Sequence, residues 1–207
     1  MLKENGFNIL SLANNHIIDC KEKGITRTIK VLRKNNLSFV GVNEGDASQE
    51  PLIVRKKGIK IGFLAYCKDR PYLRDLKIGP YLIRKSIIED VRKAKEKTDF
   101  LVVSLHWGRE YKTKPTLKQE KLAKALIDNG ADAVVGHHPH VVQRIRKYKD
   151  RIIAYSLGNF VFDQRFNEKV KNGVLLKLIL SGKKIKRYEI IHTCINDKFE
   201  PELNRKI

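Results

Sequence analysis

Apolar positions along the chain follow two rhythms, one of period two or continuous and one of period 3.6, and their order predicts alternating strands and helices. The continuous run 7–13 predicts a buried strand that ends at Asn14, Asn15 and His16. Ile25, Ile29 and Leu32 share one helical face, so a helix is predicted over about 26–34, with Asn35 and Asn36 as its stop signal. A short strand follows over 37–42. The runs 52–55 and 59–66 flank Lys56, Lys57 and Gly58, which predicts a hairpin.

Residues 72–84 carry no clear rhythm and are expected to be loop with a short strand. Ile87, Ile88, Val91 and Ala94 place a helix over 86–97. The unbroken run 100–105 predicts a strand covered on both faces. Thr116 and Gln119 have the spacing of a capping box, opening a helix that runs through Ile127 and stops at Asn129 and Gly130. Strands are expected at 131–135 and 152–157. Two long ones, 173–180 and 184–193, are expected to meet at Ser181 and Gly182. This order predicts one α/β domain over residues 1–207, with a largely parallel central portion and hairpins.

Composition narrows the class. At 207 residues with 42% apolar content, the chain can bury one well-filled α/β core. No stretch has the roughly 18 uninterrupted apolar residues of a membrane span. Residues 1–5 do not read as a signal peptide. Three cysteines without CxxC spacing make a disulfide framework the weaker reading, and small buried hydrophobes the default. The net charge of +20 is compatible with a polyanionic partner. Its basic residues are spread over short clusters (55–57, 144–151, 183–187), without an arginine-rich tract or recognition-helix pattern, so nucleic acid is not favoured.

Polar ligand types gather where the strands end. His106 follows the run 100–105, and His137, His138 and His140 follow 131–135. Asn15 and His16 follow 7–13, and Asn159 follows 152–157. Five of the six histidines occupy such positions; His192 stands apart and reads as structural. A strand–helix–strand crossover over 100–135 makes its two strands parallel, bringing both carboxyl ends to one sheet edge, where α/β sheets place ligands. If those strands are neighbours, His106 and the later histidines come within reach of a shared metal. Imidazole, amide and carboxylate donors suit Mn, Fe or Zn better than Ca or Mg.

Taken together, SLANNH at 11–16, GVN at 41–43, SLHWG at 104–108 with Glu110 and Tyr111, GADAVVGHHPHVVQ at 130–143 and YSLGNF at 155–160 resemble the capsule-synthesis CapA (poly-γ-glutamate) family. That family is a branch of the calcineurin-like metallophosphatases, and the likeness extends to about residue 181. It implies a metallophosphatase-like αββα sandwich with mixed sheets. It implies metal ligation by Asn15, His106, His138 and His140, with His137 a variable neighbour. His16 takes the role of the group that meets the substrate or leaving group, and Asn159 and Ser156 line a substrate pocket. The family pattern begins with a Gly-Asp strand end and an Asn-Leu-Glu segment, both of which lie before the first residue here. The expected consequences are an N-terminally incomplete sandwich, a weaker metal site in place of the usual two-metal one, and an exposed sheet edge inviting a second copy. Asp19, Glu110 and Asp163 are the available carboxylates, with Asp19 expected to fix its loop. The resemblance implies work on an anionic polymer such as poly-γ-glutamate. A general metal-dependent phosphoesterase and a non-catalytic polyanion-binding protein remain as alternatives. Members of the family are often held at the outer membrane face.

Overall fold

The computed structural model describes residues 2–45, 48–164 and 166–204. The chain divides into two compact units, Met1–His106 and Trp107–Ile207.

The first unit begins with strand β1 (Ile9–Ser11), one turn of 3-10 helix (Asn15–Ile18), helix α1 (Lys21–Lys34) and strand β2 (Ser38–Val40), parallel to β1. Ile25, Ile29 and Leu32 drop from α1 onto Leu12 and Leu37, and this apolar stripe fixes the helix on its strands. The helix starts five residues before the predicted position, because the segment KEKG extends it without adding apolar contacts that a sequence pattern could register. The run 37–42 is broken at Gly41, whose φ of +96° only glycine adopts readily. A Cβ there would also crowd the methyls of Ala13 and Ala65.

Past the break lie β3 (Val42–Asn43), β4 (Leu52–Lys56), β5 (Ile59–Cys67), β6 (Gly79–Pro80), α2 (Ile87–Lys97) and β7 (Phe100–His106). Strands β4 and β5 form the predicted hairpin. Lys57 and Gly58 at its tip both have positive φ, the conformation a tight two-residue turn requires. β6 pairs with β3, and β7 lies parallel to β5 in a register that sets Cys67 beside His106. Tyr66 donates a 3.0 Å hydrogen bond from β5 to the Asp90 carboxylate on α2, within the core.

The second unit contains α3 (Leu117–Asp128), β8 (Ala133–His137), β9 (Ile145–Tyr148), β10 (Arg151–Ala154), α4 (Glu168–Lys171), β11 (Asn172–Ser181), β12 (Lys184–Ile195) and β13 (Pro201–Leu203). Thr116 and Gln119 close the predicted capping box. β10 is parallel to β8 and antiparallel to β9. Ala133, Val134, Ile152 and Ile153, all fully buried, form the centre of this sheet. β9 was unforeseen: residues 144–151 read as a basic cluster, and antiparallel pairing with β10 is what makes a strand of it. β11 and β12 pair along their length with a bulge at Ile179–Leu180, and β13 adds to β12. Both units are therefore mixed α/β with mixed sheets.

Candidate metal site

In the first unit, β1 delivers Asn14, Asn15 and His16 at its carboxyl end. The Asn14 side chain accepts the His16 amide N–H at 2.9 Å and so caps the 3-10 turn. β7 delivers His106, and its Nε2 lies 2.7 Å from Asn15 Oδ1. His16 is exposed, and its Nδ1 lies 3.0 Å from the Asp19 carboxylate. The Asp19 carboxylate thus meets the His16 ring at the surface of the 3-10 turn. A groove of about 540 Å³ runs from these two residues along α1.

In the second unit, β8 ends at His137, and the chain turns sharply through His138, Pro139 and His140. His138 and His140 have φ of 93° and 58°, and Tyr111 has φ of 61°. Three non-glycine residues in this costly region, all beside the histidine pair, mark a segment whose geometry is held by its surroundings. Trp107 N–H donates to His137 O, and Tyr111 N–H to Pro139 O at 2.8 Å. Gln143 Nε2 donates to Lys112 O at 2.7 Å. These bonds hold the segment bearing Glu110 against the histidine turn. Donor atoms of Glu110, His138 and His140 all lie within 4.8 Å of one another, and Glu110 Oε1 is 3.9 Å from His138 Nε2.

His140 Nδ1 lies 2.9 Å from Asn159 Oδ1, and Asn159 Nδ2 donates to Val170 O at 2.9 Å. The rings of Tyr111 and Phe162 flank His140 at 6.0 and 5.0 Å. Burial pushes the His137 imidazole down to about 4, which keeps it neutral near pH 7. Ser156 is buried; its hydroxyl accepts the Gly158 N–H at 3.3 Å and its carbonyl accepts the Gln143 N–H.

The structure thus brings Asn15 to His106, and His138 to His140 with Asn159. Ser156 sits beneath the strand end, and His16 turns to Asp19. Glu110, read from sequence only as an available carboxylate, joins the histidine pair. The available signal was its position four residues after His106 in the same strand-end segment. One carboxylate and two imidazoles are a ligand set of the kind zinc and manganese enzymes use, so these residues fit a divalent metal.

Residues 1–164 match the family described as bacterial capsule synthesis protein PGA_cap. The chain belongs to this family. A capsule biosynthesis protein CapA of Bacillus anthracis is 41% identical over 174 residues, covering 79% of this PGA_cap-family chain and 42% of that protein. A PGA biosynthesis protein CapA of Bacillus subtilis (strain 168) is 34% identical over 202 residues, covering 92% of this chain and 51% of its own length. The chain therefore spans about half the length of these curated relatives. A solved structure of a novel phosphatase from Mycoplasma pneumoniae superposes with a TM-score of 0.63 at 16% identity, covering 96% of this chain and 76% of that one. The fold is α/β and metallophosphatase-like. Among the described residues, no helix is long and apolar enough to cross a membrane.

Proposed function

We propose that this chain serves the biosynthesis of a capsule or exopolymer of the poly-γ-glutamate kind, using a divalent-metal site of hydrolase type. The observation that carries the metal reading is the convergence of Glu110, His138 and His140 at the end of β8, in a chain of the capsule-synthesis family. In the second unit His138 and His140 are proposed ligands, with Glu110 as their anionic partner; in the first, Asn15 and His106 are proposed ligands. Mn, Fe and Zn match these donors. A bound ion of this class supplies Lewis acidity and an activated water for attack at a phosphoryl or amide centre.

The chain's own residues do the remaining work. Asn159 holds His140 by its Nδ1 and so directs Nε2 outward as a donor atom. Asp19 orients the exposed His16 ring, whose Nε2 is left to exchange a proton with a substrate or leaving group. Ser156 and Asn159 are proposed to border the substrate.

Elemental analysis of the purified chain tests the metal reading, beside a control carrying His106→Ala, His138→Ala and His140→Ala. One or more equivalents of Mn, Fe or Zn, absent from the control, is the expected result. No metal in either sample after loading would overturn it. Release of phosphate from a generic aryl phosphate by the loaded chain, abolished by His138→Ala, would move the assignment to a general phosphoesterase.

A further inference from the structure

The outer face of α1 carries Lys23, Arg27, Lys30 and Lys34 at positions i, i+4, i+7 and i+11. At 100° per residue these four fall within one narrow stripe, opposite the buried Ile25, Ile29 and Leu32. All four are exposed and line a groove of about 530 Å³ together with Glu22, Thr26, Val31 and Ile78. None makes an ion pair among the described residues. The neighbouring acid, Glu22, is engaged, accepting the Lys77 N–H at 2.7 Å. Arg33, off the stripe, is neutralised by Glu44 at 2.8 Å. Solvated helix faces ordinarily intersperse both signs, because like charges three and four residues apart repel and weaken the helix. This stripe keeps four cations in a row, and Glu22, held by the Lys77 N–H, is the acid that flanks them in the groove.

We infer that this stripe is a docking track for an extended polycarboxylate chain leading toward His16. The four charges span about 16 Å, at a mean spacing of about 5.5 Å. A γ-linked glutamate unit has five backbone atoms, so its carboxylates repeat at about 6 Å when extended. Successive carboxylates of the extended chain alternate between opposite faces, so those facing the helix repeat at about 12 Å, close to the separation of about 10.5 Å from Lys23 to Lys30 and from Arg27 to Lys34. The groove has a charged and polar lining with only Val31 and Ile78 aliphatic, and no aromatic ring. It therefore lacks the stacking platform with which proteins hold single-stranded nucleic acid. Arg27 and Val31 also line the second groove, the one containing His16 and Asp19. The track thus adjoins the group proposed to meet the substrate. This assignment rests on the polymer part of the proposed function and is independent of its metal site.

The test is binding of fluorescently labelled poly-γ-glutamate to the full chain at low salt, followed by anisotropy. The track variant carries Lys23→Ala, Arg27→Ala, Lys30→Ala and Lys34→Ala. A control removes the same charge from the β11–β12 hairpin through Lys183→Ala, Lys184→Ala, Lys186→Ala and Arg187→Ala. The track variant is expected to bind at least about tenfold more weakly and with a shallower salt dependence, and the control less than about threefold more weakly. Replacing Lys23, Lys30 and Lys34 by Arg is expected to retain binding, which separates lost charge from a disturbed helix. Equal losses in the two alanine variants would overturn the track and leave the polymer reading standing. Absence of binding by the unaltered chain would overturn both, while its metal content still reports the metal site on its own. Single-stranded DNA bound as tightly through the same four residues would overturn the polycarboxylate assignment.

Discussion

Asn159 Oδ1 accepts a hydrogen bond from His140 Nδ1 at 2.9 Å, and the direction of that bond is set by a third residue. Asn159 Nδ2 already donates to Val170 O, so the oxygen of the amide must face the ring. The proton of neutral His140 then resides on Nδ1, leaving the Nε2 lone pair for a metal. Asn159→Ala is expected to lower metal affinity by about 10–100-fold. A chelator competition measures this. Unchanged affinity would mean that the backbone turn alone orients His140.

The Asn15–His106 pair leads to a separate expectation. Asn15→Ala should reduce bound metal while leaving the melting temperature within about 2 °C, since the partly buried His106 ring can bond to water instead. Metal content and a thermal melt are read on the same sample. Full metal retention would remove Asn15 from the ligand set.

Gly136 lies where β8 passes the backbone of β10's end. A Cβ there would collide with the Tyr155 carbonyl and the Trp107 indole nitrogen, which are themselves joined by a 3.0 Å hydrogen bond. Neither group is the movable tip of a flexible side chain. Gly136→Ala is expected to cost about 2–3 kcal/mol, seen as a lowered midpoint in urea. A midpoint equal to that of the unaltered chain would contradict this close approach.

Asp90 gives a pH dependence with a definite sign. Burial is the main cause holding its carboxyl above the ordinary 3.8, against the opposing hydrogen bond from Tyr66. The folded state therefore keeps this proton more tightly than the unfolded chain. The resulting cost is absent well below 3.8, grows as pH rises through the interval up to the raised value, and is complete above it. Asp90→Asn keeps an acceptor for Tyr66 and abolishes the charge. Its stability relative to the unaltered chain should rise between pH 3 and pH 7, as measured by urea melts at both values. A difference that stays constant or falls with pH would contradict a raised Asp90.

Much of this was legible in the chain itself. The helix faces, the Lys57–Gly58 hairpin, the Thr116–Gln119 capping box and the polar residues closing each strand follow from periods and turn chemistry, which act over a few residues. The same locality explains the misses. α1 begins in a stretch without apolar rhythm. β9 is hidden because Arg146, Lys147 and the flanking cations leave no apolar alternation, and its pairing with β10 is a contact between separate segments.

What the sequence by itself determined is the mixed α/β class, the family, and the set of residues able to ligate a metal, because each depends on residue type and order along the chain. Tertiary structure alone decided which of them meet. Glu110 comes to His138 and His140 because hydrogen bonds from Trp107, Tyr111 and Gln143 fold its segment back on the turn. Asn159 becomes the support of His140 across 19 residues. These pairings depend on distances through space between segments far apart in the chain, and no local pattern encodes such distances.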